Sequence, residues 1–116
     1  VTPDMPLARE EVFGPLLAVL PFNNEEDAIR LATDSKFELA AGIWTGAATR
    51  GIRIADRIGA GPVLINNYFN ATTQSPVGGY KQSGYGRESG IEGMKAFLQT
   101  KSIWLATEPN QINPFA

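Results

Sequence analysis

Apolar and polar positions change their rhythm several times along this chain. Residues 16–22, Leu-Leu-Ala-Val-Leu-Pro-Phe, form a short apolar run between Gly14-Pro15 and Asn23-Asn24. Such a run predicts a strand buried on both faces. The spacing then turns helical. Asn24 offers an N-cap, Glu25, Glu26 and Asp27 occupy the first turn, and Ala28, Ile29, Leu31 and Ala32 make a stripe reaching about Ser35. A second strand is predicted at 41–45 and a second helix from about 48 to 58. That helix should place Ile52, Ala55 and Ile58 on one side and Arg50, Arg53 and Arg57 on the other, with Gly59 or Gly61 closing it. Residues 62–65 read as a third strand, 90–98 as a short helix and 101–106 as a last strand. In that last strand Ile103 and Leu105 alternate with Ser102 and Trp104.

Short strands separated by helices predict an α/β chain with right-handed βαβ crossovers and a parallel sheet. In such sheets functional groups gather beyond the carboxyl ends of strands. Asn66-Asn67-Tyr68-Phe69 follows the third strand directly and makes the next loop the first candidate site.

Composition narrows the chemistry. The 116 residues include no cysteine and no histidine. A thiolate nucleophile, a disulfide framework, an imidazole base and a His-ligated metal are all excluded from this chain. Ten basic against twelve acidic residues leave a net charge of -2, well interspersed, so nucleic acid is not an expected partner. No apolar stretch approaches the ~20 residues of a membrane span, and the first eleven residues contain no signal-peptide apolar region. The expected location is therefore cytoplasmic. The chain begins at Val1, which fits a processing site, a cloning boundary or the start of a fragment.

Two segments carry candidate chemistry. Six of the twelve glycines lie between Gly78 and Gly93, in Pro-Val-Gly-Gly-Tyr-Lys-Gln-Ser-Gly-Tyr-Gly-Arg-Glu-Ser-Gly and the residues that follow. Dense glycine marks special dihedrals or close backbone approach. A dinucleotide-binding loop at Gly84-Tyr85-Gly86 is rejected, because the spacing to Gly90 is one residue too long and no apolar strand leads in. An irregular packed loop is the local expectation. The other segment is Arg-Glu-Glu-Val-Phe-Gly-Pro at 9–15. It reads either as a solvated acidic turn anchored by Phe13, or as a carboxylate that takes ligand hydroxyls beside a ring-packing aromatic. Glu10 and Glu11 are not expected to form an acid/base dyad, because neighbours in an extended segment point to different sides.

Taken together, Glu-Glu-Val-Phe-Gly-Pro, then Ile-Asn-Asn-Tyr, then the glycine-rich string resemble the C-terminal part of the NAD(P)-dependent aldehyde dehydrogenase superfamily. The likeness runs from about Leu7 to Ala106, in order and spacing, and is closest to betaine-aldehyde and related bacterial enzymes. It implies a parallel-sheet βαβ segment of the catalytic domain over residues 1–98, and an oligomerisation strand and tail over 99–116. Glu11 matches the glutamate that holds the nicotinamide ribose, and Phe13 the aromatic beside the nicotinamide. Glu88 matches a buried glutamate that in some members joins a proton relay. Phe69, Ala71 and Val77 match the substrate-tunnel wall, for which ordinary loop packing is an equal alternative. In some members the backbone carbonyls at Lys81 and Gly84 hold a monovalent cation, making potassium a candidate.

The resemblance further implies NAD or NADP as cofactor, a small-molecule aldehyde as substrate and a homo-oligomer, dimer or tetramer. The family oxidises an aldehyde to a carboxylic acid through a thiohemiacetal on a cysteine. That cysteine, the general-base glutamate and the Rossmann-type domain lie upstream of the matching region. The chain is accordingly expected to be a C-terminal fragment, inactive alone. Two other expectations compete: a standalone non-catalytic binding module with the same fold, and an enzyme of different chemistry built on Glu88, Lys81 and Arg87.

Overall fold

The computed structural model describes residues 1–68, 70 and 72–107. The predicted strand–helix–strand at the centre is present. Strand β2 (Ala41–Ile43) pairs in parallel with β3 (Val63–Ile65), Ala41 opposite Val63 and Ile43 opposite Ile65, with helix α3 (Ala48–Ala55) in the crossover. The preceding helix α2 (Glu25–Thr33) starts as its sequence dictates: the Asn24 side chain accepts the Asp27 N–H at 2.9 Å.

Three elements were not legible in the pattern. A one-turn helix, α1 (Pro6–Arg9), begins on Pro6, whose missing N–H costs nothing at a helix start. Two-residue strands β1 (Phe37–Glu38) and β4 (Tyr80–Lys81) form an antiparallel pair that ties the glycine-rich region back to the end of α2. Strands this short leave no periodicity to read. The last helix, α4 (Gly90–Lys95), is shorter than expected.

Several expectations are corrected. Residues 16–22 are not a doubly buried strand; they form no regular element and are mostly exposed, Leu17 to 84%. Residues 101–106 are no strand either, and Ile103, Trp104 and Leu105 are all exposed, so neither face is covered. A strand needs an edge to pair with, and both small sheets consist of two strands found elsewhere. The C-terminal oligomerisation strand is therefore not seen as a strand in this single chain. On α3 the sheet-facing position is Gly51 rather than Ile52, which is 63% exposed. A Cβ at Gly51 would lie 2.8 Å from Ile65 Cγ2 and 3.2 Å from Thr45 Cγ2, so glycine permits the close approach. Neither Gly59 nor Gly61 takes the left-handed conformation of a glycine cap. The helix instead tightens, with Arg57 N–H on the Ile54 carbonyl and Ile58 N–H on that of Ala55.

The core is thin. Among the described residues, Ile29, Ile43 and Ala60 are the buried apolar side chains. The radius of gyration is 21.6 Å, against about 13 Å for a compact chain of 100 residues. Much of what joins α2 to α3 is ionic instead. Glu25 accepts from Arg53 at 2.7 Å and Arg50 at 2.8 Å, and Glu26 takes Arg57 as a fork at 2.5 and 2.6 Å. The acids at the start of α2 thus serve its dipole and the neighbouring helix at once.

The hydrogen bond from Arg53 to Glu25, and that from Arg57 to Glu26, hold both carboxyls below their ordinary range. Depressed folded-state values stabilise the fold above the ordinary glutamate pKa, and the contribution disappears as pH falls through the lowered ones. Stability is expected to decline on that acid limb. Glu25→Gln should flatten its part of the decline, and added salt should weaken the rest. Thermal unfolding measured across acidic pH checks both.

Candidate functional site

Beyond Arg9 the chain leaves α1 in extended conformation, with Glu10 N–H on the Pro6 carbonyl at 2.8 Å. Arg9 anchors this exit. Its guanidinium donates to the Asp34 carboxylate at 2.9 Å and to the Asp34 carbonyl at 2.7 Å, and it also reaches the Pro3 carbonyl. Four residues on, Phe13 takes a left-handed conformation (φ 50°) and stands 89% exposed. Among the described residues no side chain pairs with Glu11.

This segment borders two open clefts. One, of about 340 Å³, is lined by Glu10, Glu11, Phe13 and Leu16 with their neighbours. The other, of about 400 Å³, brings Glu10 and Glu11 together with Ser35, Phe37, Gln82 and Ser83. The acidic segment and the glycine-rich loop, distant in sequence, therefore share a wall. Both glutamates border both clefts.

A third cleft, of about 630 Å³, runs from Pro62 along β3 to Ile65 and on to the loop residues Asn67 and Tyr68. Val77 borders it, with Leu39, Ile65, Tyr68 and Pro76, while Leu39 also lines the 400 Å³ cleft. Phe69 and Ala71 lie outside the described residues. Asn66 sets the entry to this loop. It is left-handed (φ 54°), and its side chain accepts the Thr45 N–H and donates to the Thr45 carbonyl, both at 2.8 Å. It thus extends the β2–β3 pairing by a side chain. Asn66→Ala is expected to cost about 1–2 kcal/mol through two lost bonds and a strained dihedral. Asn66→Gly should recover the dihedral part, and comparing the two by denaturant unfolding separates the terms.

The glycine-rich loop is well tied. Lys81 is left-handed (φ 48°), and its ammonium contacts the Thr33 carbonyl at 3.1 Å, the Ser35 carbonyl at 2.8 Å and the Glu38 carboxylate at 2.7 Å. It therefore caps the C-terminal end of α2 as well as joining β4 to β1. Ser83 Oγ accepts the Glu38 N–H at 3.0 Å. Lys81 and Gly84 stand on either side of one turn, the Gly84 N–H facing the Lys81 carbonyl at 3.5 Å. Among the described residues no His, Cys, Asp or Glu cluster could hold a metal ion. Glu88, expected to be buried, is exposed. Its backbone pairs with Val77, and among the described residues no side chain pairs with its carboxylate.

The sequence did not single out Arg9, Leu39 or Ser83 as members of these sites. Arg9 and Ser83 act through partners 25 and 45 residues away, which no local pattern encodes.

An α/β segment with open clefts bordered by Glu10 and Glu11 and an apolar cleft along a parallel strand is the class of structure found here. The aldehyde dehydrogenase family profile matches residues 1–103. The chain belongs to the aldehyde dehydrogenase family. It is 44% identical to the NADP/NAD-dependent aldehyde dehydrogenase PuuC of Escherichia coli, over 93% of this chain and 22% of that protein. It is 46% identical to the betaine aldehyde dehydrogenase of Brucella anthropi, over 90% of this chain and 22% of that protein. A betaine aldehyde dehydrogenase double mutant of Staphylococcus aureus, solved with NAD+, superposes with a TM-score of 0.92 at 40% identity, over all of this chain and 23% of that one. The chain thus spans about a fifth of the length of the relatives it matches. Among the described residues no helix is long and apolar enough to cross a membrane.

Proposed function

We propose that this chain works as the C-terminal portion of the catalytic unit of an NAD(P)-dependent aldehyde dehydrogenase of the cytoplasm. The observation that carries the reading is Glu11, a carboxylate with no side-chain partner among the described residues, bordering a cleft beside the outward-held Phe13. A carboxylate suits the vicinal hydroxyls of a ribose because each oxygen can accept one of them. The cofactor supplies the hydride acceptor. Glu11 would hold its ribose and Phe13 would limit the ring beside it. Val77, with Phe69 and Ala71, would form part of the aldehyde wall, where side-chain size selects substrates. Glu88 would relay a proton, and the Lys81 and Gly84 carbonyls would suit a hard monovalent cation such as potassium.

The nucleophilic cysteine and the base glutamate would come from other parts of the enzyme, as would the cover over residues 16–22. Residues 99–116 would form the oligomerisation strand and tail of a homo-oligomer. Their exposed Ile103, Trp104 and Leu105 support this, since an uncovered apolar patch marks an interaction surface. Residues 108–116 lie outside the described residues.

The test compares the 116-residue chain with a polypeptide extended to the length of the relatives. Purified samples are given several aldehydes with NAD+ or NADP+, and reduced cofactor is followed. The extended protein is expected to turn over and the 116-residue chain is not. Turnover by the short chain would place the nucleophile within it and overturn the reading.

A further inference from the structure

The segment from Val77 to Glu88 closes on itself and is filled by its own arginine. Its waist is a pair of reciprocal bonds, Val77 N–H to the Glu88 carbonyl at 2.8 Å and Glu88 N–H to the Val77 carbonyl at 2.7 Å. Arg87 stands next to this waist and turns inward. Its Nη1 donates to the Gly79 carbonyl at 3.0 Å and to the Gly86 carbonyl at 2.7 Å, and the guanidinium lies 4.7 Å from the Tyr80 ring centroid. Space is left for it at Gly78, where a Cβ would fall 2.9 Å from Arg87 Nη1 and 3.0 Å from Arg87 Cδ. Among the described residues Arg87 forms no ion pair. Its charge is directed at two carbonyls and a ring instead. One guanidinium nitrogen takes both carbonyls while the planar group lies over the ring, an arrangement that a compact lysine ammonium reproduces less well.

Tyr80 belongs to β4, which is paired with β1. Arg87 therefore connects the waist to a sheet, and the waist holds Val77 at the wall of the 630 Å³ cleft. We propose that Arg87 is a positioning residue of this site: it sets the placement of Val77, and of Glu88 opposite, and through Val77 the width of the aldehyde cleft. The proposal rests on the reading of that cleft as aldehyde-binding.

The experiment uses the full-length enzyme with Arg87→Ala and Arg87→Lys. Arg87→Ala should raise the aldehyde KM about tenfold while the NAD+ KM moves by less than about twofold. Preference among straight-chain aldehydes of increasing length should shift as well. Millimolar guanidinium should restore the alanine variant, and Arg87→Lys should restore little. In a Val77→Ala background the further effect of Arg87→Ala on chain-length preference should vanish, since the two act as one unit. Amide hydrogen exchange provides a readout independent of turnover. Val77 and Glu88 should lose protection in Arg87→Ala and regain it with guanidinium, while the β2–β3 amides keep theirs. Unchanged exchange at Val77 and Glu88 would overturn the proposal. So would an unchanged aldehyde KM, or an equal rise in both KM values without guanidinium rescue. An enzyme that oxidises no aldehyde would overturn the functional reading alone, and the exchange measurement would still decide whether Arg87 holds the waist.

Discussion

Glu11→Gln in the full-length enzyme is expected to slow hydride transfer by about ten- to a hundredfold, the loss that follows when a hydrogen bond to a charged group becomes a neutral one. The carboxylate can accept two ribose hydroxyls at once. A glutamine keeps one acceptor and turns a donor toward the second hydroxyl, so the ribose and the ring attached to it gain freedom. Positioning losses of this kind fall on the chemical step. The aldehyde KM should change little, because Val77 borders a different cleft from Glu11. Single-turnover formation of reduced cofactor, run with protonated and deuterated aldehyde, checks the step affected. A larger isotope effect in the variant identifies hydride transfer as slower. Kinetics identical to the unsubstituted enzyme would refute the role given to Glu11.

Gly61→Ala is expected to be the most damaging single methyl group added to this segment. The Gly61 N–H bonds to the Leu39 carbonyl at 3.2 Å, which fixes the residue against the chain entering β2. A Cβ there would collide with the Gly78 carbonyl oxygen and would lie 2.9 Å from the Gly78 carbonyl carbon and 3.2 Å from the Leu39 oxygen. These are backbone atoms, so no rotamer change relieves the clash. The link into β3 and the glycine-rich loop would have to separate, at a cost of about 3 kcal/mol or more. Gly46→Ala is the control. Nothing lies within 4 Å of its Cβ position, and its effect should stay within about 0.5 kcal/mol. Thermal unfolding of the two variants, with soluble yield as a second measure, should separate them clearly. Equal stability would mean that the Gly61–Gly78 approach is not maintained in solution.

The same contrast separates what was legible in the sequence from what was not. The Asn24 cap, the acidic first turn of α2 and the β2–α3–β3 unit follow from neighbours within a few residues, and each is present. The pairing of β1 with β4 was invisible, because two residues carry no period. Residues 16–22 show the opposite failure. Their apolar run is strand-like in composition, yet pairing is a property of two segments, and none of the described residues supplies the second. The burial expected of Glu88 is not met for a related reason, since burial requires covering atoms that the described residues do not place there.

The motifs and their order were sufficient to place the chain in its family, and it was that resemblance which pointed to Glu11, Phe13, Val77 and Glu88. Sequence by itself therefore determined the α2 cap and the β2–α3–β3 unit, the family, and the absence of any cysteine or histidine chemistry in this segment. Only the tertiary structure decided that Glu10, Glu11, Gln82 and Ser83 share a cleft, that Lys81 closes the end of α2, and that Arg87 turns inward onto the Gly79 carbonyl and the Tyr80 ring. Those contacts join residues brought together by chain crossings. Their energies depend on distances between remote segments, which no window of neighbouring residues contains.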